Sequence, residues 1–79
     1  MRAAGGRTLD TRGSLCPQPI LDLAAEIASM EPAEELAIVS DDPAFELDLR
    51  AWCAGTGHEL LTLDQDSRLF TARVRKRRD

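Results

Sequence analysis

At 79 residues the chain is too short for two ordinary domains. A core of this size supplies only about 3–5 kcal/mol, which leaves no room for a deep cavity and puts any chemistry at the surface. Apolar residues at 43% and charged residues at 30% exclude a disordered composition, and a formal net charge of −4 disfavours non-specific nucleic-acid binding, which needs cations to neutralise phosphates.

Residues 1–6 read as a flexible leader, with one domain over 7–79. The leader contains no apolar stretch of the kind that directs secretion, and no run in the chain approaches the length of a membrane span. A cytoplasmic location and no membrane contact are therefore expected. Thr8 to Asp10 forms a short strand and Arg12-Gly13-Ser14 a turn. Ile20, Leu23, Ala24, Ile27 and Ala28 follow the i, i+3, i+4, i+7, i+8 spacing of one helix face, from Pro17 to near Met30, where Pro32 forbids continuation. Leu36-Ala37-Ile38-Val39 reads as a buried strand. Asp42-Pro43 starts a second helix, with Asp42 as N-cap and Pro43 in the first turn, where it forfeits no hydrogen bond. Phe45, Leu49, Trp52 and Cys53 mark its apolar face, and Gly55 or Gly57 ends it. His58 to Leu63 is a strand, Asp64-Gln65-Asp66-Ser67 a turn, and Leu69 to Lys76 a strand in which Phe70, Ala72 and Val74 alternate with polar neighbours. The order β-α-β-α-β-β predicts an α+β, two-layer sandwich: a four-stranded mixed sheet ending in an antiparallel hairpin, with both helices on one face.

Cys16-Pro17-Gln18-Pro19 carries the chemical signal. Prolines fit the first helical turn, so the segment marks a helix start with Cys16 at or beside the N-cap. The helix dipole and first-turn amides favour an anion there, and with it a thiolate. Pro17 and Pro19 remove two donors and Gln18 keeps one, so only a modest lowering of the Cys16 pKa is expected. Gly13 allows a tight turn that presents the sulfur outward. The competing reading is a small buried thiol without a role.

Leu9 to Ile20 resembles the N-terminal signature D-x-x-G-x-x-C-P-x-P of the TusA/SirA family. Met30-Glu31-Pro32, Ser40-Asp41-Asp42-Pro43, Trp52-Cys53 and Gly57-His58-Glu59-Leu60 follow in family order, so the resemblance spans about residues 8 to 76. It implies the same β-α-β-α-β-β fold and a sulfurtransferase or sulfur-carrier activity. In that activity the motif cysteine, here Cys16, takes sulfane sulfur as a persulfide and passes it to a cysteine of an acceptor protein. The implied partners are a cysteine desulfurase or rhodanese-like donor and that acceptor. The implied destinations are tRNA thiolation, cofactor assembly or sulfur oxidation, and selenium handling would use the same site. Two positions depart from the family pattern: Ser14, where many members carry Leu, and Ala33, where Gly is common.

Cys16 is thus the one expected catalytic residue. No cofactor is expected, and two cysteines with His58 make too few ligands for a structural zinc site. Cys53, on an apolar helix face, reads as an inert buried thiol or, alternatively, a resolving cysteine. His58 reads as a structural hydrogen-bond partner, Asp41 as solvated. Arg73, Arg75, Lys76, Arg77 and Arg78 read as a charged last strand and terminus, or as a patch that steers an acidic partner. Aromatics for base stacking do not interleave there, so direct RNA binding is disfavoured. A monomer is expected, since a carrier must offer one site to successive partners. The rival function is a non-catalytic redox-sensing or regulatory protein-interaction module.

Overall fold

Six elements follow one another in the computed structural model, which describes residues 7–78: β1 (Arg7–Asp10), α1 (Gln18–Ala28), β2 (Glu35–Ser40), α2 (Phe45–Thr56), β3 (Glu59–Asp66) and β4 (Leu69–Arg75). The expected leader, residues 1–6, lies outside the described residues. The strands form one sheet in the order β1-β2-β4-β3. β1 and β2 are parallel, while β4 runs antiparallel to both β2 and β3. With two helices on one face of a four-stranded mixed sheet, this is the α+β sandwich that the element order predicts.

The core lies between helices and sheet. Leu23 and Ile27 of α1, Leu36 and Ile38 of β2, Phe45, Leu49 and Cys53 of α2, and Phe70, Ala72 and Val74 of β4 are all buried. In β4 the buried residues alternate with polar ones, so one face meets the helices and the other lies open. On the open face Arg75 Nε pairs with Glu59 Oε1 at 2.6 Å across the β3–β4 ladder, and Arg73 Nη1 reaches Glu35 Oε1 at 3.5 Å across β2–β4.

Three boundaries differ from the sequence reading by more than one residue. Helix α1 ends at Ala28, and the chain reaches Met30 through a tighter turn, with the Met30 N–H donating to the Ile27 carbonyl at 3.0 Å. Helix α2 begins at Phe45 rather than at Pro43. Asp42 Oδ1 accepts the Ala44 N–H at 3.2 Å and the Asp42 carbonyl accepts that of Phe45 at 3.0 Å, so Pro43 and Ala44 form a lead-in turn. Strand β3 runs on to Asp66, leaving Ser67–Arg68 as a two-residue turn with Ser67 at φ 59°. The register shift between Leu60 and Thr62 explains why its alternation is hard to read. A bulge changes which face successive side chains occupy, and here both Leu60 and Leu63 pack against the core, opposite Val74 and Ala72.

The topology fixes where chemistry can converge. β1, β2 and β3 all run the same way, because β2 and β3 are each antiparallel to β4. Each helix that follows a strand must run back, so α1 and α2 both start at one end of the sheet.

Candidate functional site

The loops after β1 and β2 are stitched together at that end. The Thr11 N–H and Oγ1 both donate to the Val39 carbonyl, at 2.8 and 2.7 Å. Gly13 N–H donates to Asp41 Oδ1 at 3.0 Å, and Cys16 N–H to Asp42 Oδ2 at 2.9 Å. Asp42 is buried, and its own N–H is held by Ser40 Oγ at 3.1 Å. Gly13 sits at φ 89° with open space where a Cβ would go, so conformation rather than crowding calls for glycine. Arg12 is folded back onto Asp10, Nη2 to Oδ2 at 2.7 Å, which lowers the Asp10 carboxyl to about 2.

These contacts leave Cys16 exposed on the loop just ahead of α1, whose N-cap is Pro17. The expected lowering of its pKa is not found. Every first-turn amide is absent or already used: Pro17 and Pro19 have none, Gln18 N–H donates to the Leu15 carbonyl at 2.9 Å, and Ile20 N–H to that of Pro17 at 3.1 Å. The nearest charges are negative. Hydrogen bonding to the Asp48 carboxylate, then partial desolvation, then the charges of Asp48 and Asp42, raise the thiol above its ordinary 9.0. Cys16 therefore rests as a thiol.

Asp48 was not singled out by the sequence reading. It occupies the first turn of α2, and Cys16 Sγ and carboxylate oxygens of Asp42 and Asp48 lie within 4.8 Å of one another. The available signal was topological: both helices follow parallel strands, so an acid in the first turn of α2 must lie near the start of α1. A sulfur and two carboxylates so close could in principle hold a cation. Asp42, however, already spends one oxygen on the Cys16 N–H and the other on that of Ala44.

The other singled-out residues lie elsewhere. Cys53 is buried, and desolvation pushes its thiol up. His58 precedes β3 at the opposite end of the sheet, so it cannot serve Cys16 as a base. Its Nδ1 accepts the Arg77 N–H at 3.1 Å, and its ring stacks on Trp52 with centroids 5.1 Å apart. Desolvation and then the charges of Arg77 and Lys76 lower its pKa. The basic residues also lie at that far end: Lys76 Nζ donates to the Met30 carbonyl and Arg77 Nη1 to that of Thr56, both at 2.6 Å. The large apolar side chains exposed among the described residues are Leu15, next to Cys16 in sequence, Leu21 in α1 and Leu47 in the first turn of α2, at 67%, 56% and 76% exposure. No helix among the described residues is long and apolar enough to cross a membrane.

Comparison with known proteins bears on this arrangement. The sequence model of the family described as "Sulfurtransferase TusA" matches residues 7–76. Among solved structures, the fold is similar to that of a SirA-like protein from Desulfitobacterium hafniense. The match has a TM-score of 0.76 and 20% identity, covering 89% of this chain and 96% of that one.

Proposed function

The chain belongs to the TusA sulfurtransferase family, and from that premise we propose that it accepts sulfane sulfur as a persulfide on Cys16 and passes it to a cysteine of an acceptor protein. The family supports a sulfur-carrier role in general; the residue and the transfer step are inferred from the site. The observation that carries the inference is the contrast between the two thiols: Cys16 is exposed on a loop hydrogen-bonded to Asp41 and Asp42, and Cys53 is buried.

Transfer between proteins needs a sulfur that two different partners can reach in turn. Hydrogen bonds to Asp41 and Asp42 tie the loop in place, while the exposed Leu15, Leu21 and Leu47 offer apolar contact to whichever partner docks. A cysteine desulfurase or rhodanese-like protein supplies the sulfur in this reading. Incubation with a desulfurase and free cysteine should add one sulfur atom to the intact mass. Cys16→Ser should retain the fold and gain none. Undiminished loading of the Cys16→Ser protein would move the site to Cys53 and overturn the assignment.

A further inference from the structure

One oxygen of an acid that clusters with Cys16 has no hydrogen-bond partner to explain its burial. Asp48 Oδ2 is buried and, among the described residues, is the buried side-chain polar atom left without a hydrogen-bond partner. Burying an unpaired carboxylate oxygen is costly, and one found in a folded protein calls for an explanation, a catalytic role among them. Asp42, the other acid near Cys16 Sγ, has both oxygens committed to backbone N–H groups. Asp48 is therefore the acid in the cluster with spare acceptor capacity. We infer that Asp48 is the proton relay of sulfur transfer, taking the Cys16 thiol proton during loading and returning a proton to Cys16 during delivery.

The inference rests on the persulfide reading of Cys16, and the steps balance without an oxidant or reductant. In loading, Cys16 Sγ attacks the terminal sulfur of the donor's persulfide as its proton passes to the Asp48 carboxylate. The new Sγ–S bond forms, the donor's S–S bond breaks with its electron pair going to the donor's cysteine, and the proton on Asp48 passes to that departing thiolate. The products are a Cys16 persulfide and a donor thiol. In delivery the acceptor's thiol attacks the terminal sulfur as its proton passes to the Asp48 carboxylate, the Cys16 Sγ–S bond breaks with its electron pair going to Sγ, and Asp48 hands that proton on to Sγ. Moving the proton while the bonds change spares the site a free thiolate among carboxylates. It also accounts for a cysteine that rests protonated.

The acids clustered with the sulfur are Asp48 from α2 and Asp42 from the β2–α2 loop; the same two loops also carry Asp41 and Arg12, whose partner Asp10 ends β1. Arg12 is committed to Asp10, and Asp41 to the Gly13 amide.

Asp48→Asn separates this role from simple charge. Removing a negative acceptor should ease ionisation, so Cys16 should alkylate several-fold faster with iodoacetamide at neutral pH. Sulfur loading from a desulfurase, followed by intact mass, should instead slow about a hundredfold, the lower range of what positioned proton transfer contributes. Asp48→Glu, which keeps the carboxylate, should recover part of the loading rate and guards against misreading a folding defect. Loading of Asp48→Asn that is unchanged, or that accelerates with alkylation, would overturn the inference while leaving Cys16 as the carrier. A wild-type protein that takes no sulfur would overturn both.

Discussion

Ala33 shows at the residue scale what a left-handed backbone costs without glycine. It sits at φ 71°, where a Cβ crowds the backbone, between Pro32 and the start of β2. The left-handed conformation costs a non-glycine residue about 1–2 kcal/mol, partly offset by the extra freedom glycine has when unfolded. Ala33→Gly should therefore stabilise the protein by about 0.5–1 kcal/mol in urea unfolding, with an unchanged slope. At Cys16 the sign of the pKa shift sets a second expectation. Because the thiol is held above 9.0, its thiolate fraction is small at neutral pH and keeps growing as pH rises through that value. The alkylation rate of Cys16 should climb without a plateau between pH 7 and pH 9, as thiolate-limited reactions do; a plateau below pH 8 would contradict the arrangement of acids around it. The sequence picked out Cys16 because proline placement and a helix start are local features. It missed the direction of the shift, because the Leu15 and Pro17 carbonyls that consume the first-turn amides, and the carboxylate of Asp48, enter only once the chain is folded.

At the scale of elements, the two loops that precede the helices act as one unit, and Asp42 is the join. Both of its carboxylate oxygens accept backbone N–H groups, one in each loop, in a buried setting. Asp42→Ala strands those donors and should cost about 1–3 kcal/mol, read as a lower urea midpoint. Sequence pattern alone located all six elements, since Leu23 and Ile27 keep helical spacing and Phe70, Ala72 and Val74 keep strand spacing. Its errors fall where long-range pairing overrides local signals. Asp64-Gln65-Asp66 has the composition of a turn, yet Asp64, Gln65 and Asp66 pair with Thr71, Phe70 and Leu69 of β4. Asp42 has the sequence of an N-cap, and it does bind the Ala44 N–H; the tie to Cys16, 26 residues away in sequence, was not visible there.

Across the whole molecule, the sulfur and the basic C-terminal residues from Arg73 to Arg78 stand at opposite ends of the sheet. The sequence alone allowed the basic end to steer partners towards Cys16. In the structure Arg75 is engaged with Glu59, Lys76 with the Met30 carbonyl and Arg77 with that of Thr56, all far from the thiol in the topology. Arg78→Gln should therefore leave both the transfer rate and its salt dependence unchanged in stopped-flow assays at two ionic strengths, since steering would show as a rate loss confined to low salt. Charge substitution at the other end should act differently: Leu21→Asp or Leu47→Asp should slow transfer to a protein acceptor while leaving alkylation of Cys16 by a small reagent nearly intact. The most direct test of the central claim is peptide mapping of protein loaded by a desulfurase and trapped by alkylation. The added sulfur should be found on the peptide that contains Cys16, and not on the one that contains Cys53. Sulfur on the Cys53 peptide, or on neither, would contradict the assignment of Cys16 as the carrier.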